Sequence, residues 1–174
     1  MPRALHEHDA PARRRYPGPI DIALLHIADA TADHIKAAGI DSVGLLATRY
    51  TMAQSLYRGR LADHHGLQVL VPPEPDLSLV HDGIYQELCR GRVLDGPRAE
   101  YHRVISQLEA AGAHGIVYGC TEIDLLVGPQ DASVPVFDST RIHVESSLTN
   151  LASAPKQGDE GAPEPLVLAE CCRD

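Results

Sequence analysis

Gly119-Cys120-Thr121-Glu122 holds the residue types in this chain best suited to acid/base or nucleophilic work. The apolar run Gly115-Ile116-Val117-Tyr118 leads into it, and Ile123, Leu125, Leu126 and Val127 come next in an apolar pattern that predicts a helix up to Gly128-Pro129. A thiol at such a strand-to-helix turn meets unpaired backbone N–H groups and the positive end of a helix dipole, both of which favour the thiolate. Cys120 is therefore the candidate catalytic residue, against the plainer reading of a small buried hydrophobe. Thr121 can cap the following helix or hydrogen-bond a ligand. Glu122 can stabilise the first helical turn or orient a ligand amine.

Other polar residues stand at comparable junctions. Thr48, Arg49 and Thr51 sit where a second apolar strand enters a helix, a place where backbone N–H groups and hydroxyls can hold a carboxylate. An ordinary threonine-capped turn has the same appearance. Asp138, Thr140 and His143 come after the last strand, and an Asp and a His flanking a thiol can tune its pKa. The histidines, His64-His65 included, have no metal-ligand spacing, and neither do Cys89, Cys120, Cys171 and Cys172.

The elements that position these residues are legible from periodicity. Residues 20–27, 43–47, 67–71, 115–119 and 134–137 read as strands. Helical patterns fall at 29–38, at 48–66 with Met52, Leu56 and Leu61, and at 77–91 with Leu77, Val80, Ile84 and Leu88. Further ones fall at 101–111 with Tyr101, Val104, Ile105 and Leu108, and at 139–152. Gly39, Gly66 and Gly112 each end a helix just before a strand. Alternating strands and helices predict an α/β Rossmann-like parallel sheet of about four strands with helices on both faces. Ligands of such sheets bind beyond the carboxyl ends of the strands, where Thr48, Cys120 and Asp138 fall. Residues 1–19, rich in Pro, Arg and His, are expected to form a disordered leader, 20–152 the α/β domain, and 153–174 a disordered tail.

Composition narrows the function classes. The chain has 174 residues, 44% of them hydrophobic, enough for one domain with a real core. A net charge of −9 with no tryptophan argues against nucleic acid, which needs clustered Lys and Arg and stacking platforms. No apolar run reaches the length of a membrane span, and the N-terminus has no signal-peptide core. A cytoplasmic protein with reduced thiols is expected.

Five segments in register carry a resemblance: His26-Ile27-Ala28-Asp29-Ala30-Thr31, Gly44-Leu45-Leu46-Ala47-Thr48-Arg49-Tyr50-Thr51-Met52, Ile84-Tyr85-Gln86-Glu87-Leu88, Gly119-Cys120-Thr121-Glu122-Ile123 and Phe137-Asp138-Ser139-Thr140-Arg141-Ile142-His143. Together they resemble the aspartate/glutamate racemase family, nearest its aspartate racemase branch, over about residues 24–150. The resemblance implies a cofactor-independent racemase of two Rossmann-like halves, with two thiols on opposite sides of the substrate α-carbon. Cys120 matches the second of them. It further implies aspartate or glutamate as substrate; by their own positions at strand ends and helix starts, Thr48, Arg49, Thr51, Thr121, Glu122 and His143 are the candidate binding residues. Arg98, or Arg92, would clamp the distal carboxylate if it is not simply a solvated charge. A homodimer is a possible assembly by the same resemblance.

The family's first thiol lies upstream of the segment matching His26-Ile27-Ala28-Asp29, and the residues before His26 contain no cysteine. The chain is thus expected to carry the second half-domain and to lack most of the first. Two alternatives stay open: a one-thiol decarboxylase of malonate-type acids from the same superfamily, and a non-catalytic remnant or binding module.

Overall fold

The computed structural model describes residues 25–93 and 95–153. Five α-helices and four strands lie along them. α1 is Ile27–Ala37, β1 Ser42–Leu46, α2 Arg49–Ala53, β2 Gln68–Leu70, α3 Asp76–Asp82, α4 Asp95–Ala110, β3 Ile116–Tyr118, β4 Val136–Asp138 and α5 Ser139–Ser153. α3 and α4 come in succession before β3, and only 3-10 turns lie between β3 and β4. The strands form one parallel sheet in the order β2-β1-β3-β4. This is the expected α/β fold, a four-stranded parallel sheet with helices. Every residue of β1 and of β3 is buried. Because successive side chains of a strand point to opposite faces, both faces of the sheet are covered.

The central strands approach closely because two positions have no side chain. At Gly44 in β1 an added Cβ would lie 3.0 Å from Leu108 of α4 and 3.0 Å from Ile116 of β3. Leu108 and Ile116 fill that space as part of a core with Leu45, Leu46, Val104 and Ile105. The helix stops behave as their glycines require: Gly39, Gly66 and Gly112 have φ of +72°, +70° and +103°, where a Cβ would be strained.

Three stretches differ from the sequence-based expectation. The predicted strand at 20–27 is not formed at its described end: Leu25 and His26 are irregular, and Ile27 already opens α1 because the His26 ring accepts the Ala28 N–H and caps the helix. Residues 20–24, like the expected leader at 1–19 and the tail beyond Ser153, lie outside the described residues.

The single helix predicted from Thr48 to Gly66 is broken at Gln54, whose extended ψ of 151° separates α2 from a π-helical segment, Ser55–His64. Met52 and Leu61 do face the core, but Leu56 is 65% exposed and Tyr57 takes the inward position instead. The wider π turn puts Tyr57 and Leu61 into the core together.

The helix expected after Cys120 is only one 3-10 turn, Ile123–Leu125. Ile123, Leu126 and Val127 are buried but Leu125 is 57% exposed, so the apolar run supports no continuous helical stripe before Gly128-Pro129 ends it. Among the described residues, no helix is long and apolar enough to cross a membrane.

Candidate active site

The chain runs from β1 outward to β2, then crosses to β3 on the other side of β1, so the sheet's topological switch lies between β1 and β3. There Leu46 is level with Tyr118, and the Gly119 N–H donates to the Leu46 carbonyl at 2.9 Å. Gly119 is the second close approach: a Cβ would come within 3.1 Å of Ala47 and of Leu45. The two chains leave the sheet side by side at this point, one into Thr48 and the other into Cys120. A cavity of about 340 Å³ opens over them, lined by Gly119, Cys120 and Thr121 after β3, Ser139 and Thr140 after β4, and Thr51 of α2. His26, Ile27, Leu56 and Tyr57 complete its wall. A second cavity of about 390 Å³ lies between α1 and α5, against Asp33, His34 and Glu145, and has no cysteine in its lining.

Cys120 is half-buried, and its thiol donates to Oε2 of Glu122 at 2.9 Å. Burial, then that carboxylate, push the thiol up to about 12. The sequence-based expectation of a dipole-stabilised thiolate is therefore corrected. No α-helix starts at Cys120, and the nearest charge is negative, so the sulfur holds its proton at neutral pH. The reciprocal effect falls on Glu122, held below the usual range by the Cys120 thiol and then by the Thr121 hydroxyl. The pair is a protonated thiol aimed at an ionised carboxylate.

The other sequence-predicted residues divide into three groups. Thr51 and Thr121 line the cavity with Cys120. Thr48 stands behind Thr51: its Oγ1 is 3.2 Å from the Thr51 Oγ1 and accepts the Thr51 N–H, capping α2. Arg49, Arg98 and Arg92 are engaged elsewhere. The Arg49 guanidinium reaches Glu74 at 2.8 Å and Ser78, tying α2 to α3. Arg98 pairs with Asp131 at 3.1 Å, and Arg92 lies 3.7 Å from Glu87. His143 is one turn into α5, with its Nδ1 buried and unpartnered. Asp138 accepts the Thr140 N–H at 2.9 Å and the Arg141 N–H at 3.2 Å, so its carboxylate caps α5. Cys89 is exposed on a 3-10 turn, Leu88–Arg90. Cys171 and Cys172 lie outside the described residues.

Sequence reasoning missed His26, Leu56, Tyr57 and Ser139 as cavity residues. Ser139 was accessible to the strand-end rule that found Thr48 and Cys120, since it comes directly after β4. Its hydroxyl donates to the Tyr118 carbonyl at 2.8 Å and joins the two strand ends. Tyr57 donates to Thr31 at 3.3 Å and reaches the site only through the π-helical segment.

The wall behind the cavity is held by charge. Asp29 of α1 accepts both Arg60 Nε at 2.6 Å and Arg60 Nη2 at 2.8 Å, and lies 2.8 Å from His65 Nε2. The Arg60 guanidinium keeps the Asp29 carboxyl far below the usual carboxylate range. This fork fastens the π-helical segment, with its Leu56 and Tyr57, onto α1.

Three known proteins are similar to parts of this chain. A candidate Asp/Glu racemase from Yersinia pestis is 55% identical, with a TM-score of 0.73 over 74% of this chain and 56% of its own. An aspartate racemase homologue from Pyrococcus horikoshii OT3 is 33% identical, with a TM-score of 0.69 over 77% of this chain and 58% of its own. An uncharacterised protein encoded 3′ of pnlA in Pectobacterium carotovorum subsp. carotovorum is 29% identical over 112 residues, 64% of this chain and 73% of its own. The chain thus spans a little over half the length of the two solved proteins it matches. The family model for Asp/Glu/hydantoin racemases matches residues 10–147, well over half of the chain, and the chain belongs to that family.

Proposed function

We propose that this chain supplies one acid/base face of a cofactor-independent amino-acid racemase acting on aspartate or glutamate, with Cys120 as the proton-carrying group. The observation that carries this is the protonated Cys120 thiol, hydrogen-bonded to Glu122 at 2.9 Å, in a hydroxyl-lined cavity at the sheet's switch point. Family membership supports a racemase-type function; the identity of the substrate and the role of each residue are the proposal.

Racemisation breaks the Cα–H bond on one side of the α-carbon and forms a new one on the other. The difficulty is that the α-proton of an amino-acid carboxylate is a very weak acid. A base on one face takes that proton, and the electron pair spreads into the α-carboxylate. Cys120 then breaks its S–H bond and gives the proton to the opposite face, leaving a thiolate beside Glu122. In the reverse direction that thiolate removes the proton. A thiol raised to about 12 is scarce as thiolate but strong as a base, which suits a weakly acidic C–H. Glu122 orients the thiol, and Thr51 and Thr121 hold the α-carboxylate, with Thr48 bracing Thr51. Arg49 and Arg98 have carboxylate partners of their own, and we give them no role at the substrate. No second thiol lines the cavity among the described residues, so the opposite group comes from elsewhere, a second copy of the chain being one source.

The test is isotopic. Aspartate or glutamate incubated with the protein in heavy water should exchange its α-proton, with inversion if both faces are served and with retention if Cys120 acts alone. No exchange of either enantiomer, with Cys120→Ala indistinguishable from the unaltered protein, overturns the reading. The single protonated thiol in the cavity also fits a decarboxylase of malonate-type acids, in which one cysteine protonates an enolate. Release of carbon dioxide from a substituted malonate would favour that reading instead.

A further inference from the structure

One titratable side chain in the Cys120 cavity takes no part in the proton transfer at the α-carbon. His26 is the N-cap of α1, with extended backbone (φ −88°, ψ 129°), and its Nδ1 accepts the Ala28 N–H at 3.1 Å. A neutral imidazole whose Nδ1 accepts a hydrogen bond carries its proton on Nε2. A backbone amide therefore dictates the tautomer. The charge state is dictated by the surroundings: burial, then the Arg60 guanidinium, press the ring below the ordinary histidine range, with His143 and His64 in the same sense and Asp29 opposing. Among the described residues no group accepts a hydrogen bond from Nε2. The cavity wall thus carries a fixed, neutral N–H donor without a protein acceptor, in the same enclosure as the Cys120 thiol.

We propose that His26 donates its Nε2–H to the α-carboxylate of a substrate held over Cys120 and stabilises the charge that this carboxylate gains when the Cα–H bond breaks. The inference rests on the reading of Cys120 as the acid/base at the α-carbon. Loss of the α-proton delivers an electron pair into the carboxylate, which moves from one negative charge toward two. A donor already aimed at its oxygens gains most in the transition state, where that charge appears. The donor keeps its proton throughout, so the proton count between substrate and Cys120 is unchanged. Neutrality is an advantage here. An imidazolium would bind the ground-state carboxylate strongly and could lose its proton to the carbanion equivalent, whereas a neutral imidazole is a weak acid that only donates a hydrogen bond. Thr51 and Thr121 place hydroxyls in the same cavity for the remaining lone pairs. The substrate class this selects is the α-amino carboxylate, since the donor acts on the carboxylate conjugated with the reacting carbon and not on a distal one.

The test separates positioning from structure. His26→Asn keeps a side-chain acceptor for the Ala28 N–H but has no donor at the reach of Nε2, whereas His26→Ala loses both. With histidine 15N-labelled, the His26 ring should be the Nε2–H tautomer at pH 7, and saturating L- or D-aspartate should move its Nε2 and attached proton. The exchange rate constant in heavy water should fall roughly 100-fold in His26→Asn with KM and Tm little changed. If the unaltered protein exchanges and His26→Asn matches it, the inference falls while the racemase reading stands. If no exchange occurs but aspartate still moves the His26 signals, the acid/base reading falls, the charge-stabilising role falls with it, and only the contact of His26 with the carboxylate stands. His26 signals that stay unmoved at saturating aspartate overturn the inference whatever the exchange rate.

Discussion

The turns after β1 and β3 leave the same end of the sheet, one hydrogen bond apart at Gly119 and Leu46, and do opposite things with their polar side chains. After β1, Thr48 closes on its own helix: its hydroxyl takes the Thr51 N–H and contacts the Thr51 hydroxyl, and Arg49 is spent on Glu74 and Ser78. After β3 no α-helix forms, and Cys120 donates forward to the carboxylate of Glu122 two residues on. The first turn satisfies itself and builds a wall. The second keeps a proton available at the cavity. The difference teaches that a strand end keeps its thiol protonated here by failing to make a helix, since a helix dipole would lower the thiol pKa that burial and Glu122 raise.

The largest effect should come from the reactive turn. Cys120→Ala is expected to lower α-proton exchange by at least about 10³-fold, the scale of a lost general acid/base group. Its melting temperature should change little, because the side chain is only half-buried. A Thr48→Ala protein with an equal loss of exchange would erase the distinction between the two turns.

Glu122→Gln should act in the opposite sense on the thiol. Burial remains but the negative charge goes, so the thiol pKa falls part of the way from about 12 toward the ordinary cysteine value. Each unit of that fall gives about tenfold more thiolate at a fixed pH below the pKa. Alkylation of Cys120 by iodoacetamide at pH 9 should therefore speed up roughly three- to tenfold, while exchange falls because the thiol has lost its orienting acceptor. An alkylation rate unchanged by Glu122→Gln would leave burial as the sole cause of the raised pKa.

The two turns also mark how far the sequence could be read. Continuous apolar runs at 43–47 and 115–119, with glycines at the helix ends, suffice for a parallel sheet, because strand burial and left-handed stops are local properties. The strand-end rule then brings Thr48 and Cys120 together. The segments leaving each strand were less legible. Ile123, Leu125, Leu126 and Val127 have a helical look, but burial of Ile123, Leu126 and Val127 around an exposed Leu125 is met by one 3-10 turn. The break at Gln54 depends on which of Leu56 and Tyr57 the core accepts, a question of packing that periodicity does not reach. His26 sat in a stretch that read as strand, and its value comes from capping α1 while facing a cavity whose other polar walls come from distant parts of the chain, Thr51, Cys120 and Ser139. Arg98 shows the converse: a free guanidinium in the sequence becomes one with a partner once Asp131 folds against α4.

A smaller effect is expected where α1 holds the wall. Asp29 has a folded-state pKa below its unfolded one, chiefly through Arg60, so its contribution to stability is present above the unfolded carboxyl pKa and is lost as pH falls through the depressed folded value. Asp29→Asn should lower the melting temperature by a few degrees at pH 7, and the gap to the unaltered protein should close on acidification from about pH 4 downward. Exchange should weaken too, since the π-helical segment that carries Leu56 and Tyr57 loses its fork to α1. A gap that persists undiminished at low pH would mean that the ionised fork is not what fastens this wall.

The smallest effect belongs to the self-satisfied turn. Thr48→Ala removes a cap whose hydrogen bond is long, 3.4 Å, on a helix of five residues, so the loss should lie at the low end for N-caps, about 0.5 kcal/mol. Differential scanning calorimetry should register it as a shift of only a degree or two. The kinetic consequence is the sharper measure. The Thr48 hydroxyl also fixes the Thr51 hydroxyl at 3.2 Å, and Thr51 faces the cavity. If Thr51 holds the α-carboxylate, freeing it raises KM for aspartate exchange several-fold while the rate at saturation stays near that of the unaltered protein, because the proton chemistry at Cys120 is untouched. A drop in the saturated rate instead would mean that the turn after β1 shares in the proton transfer, and the two strand ends would then be one site rather than a wall and a reactive group.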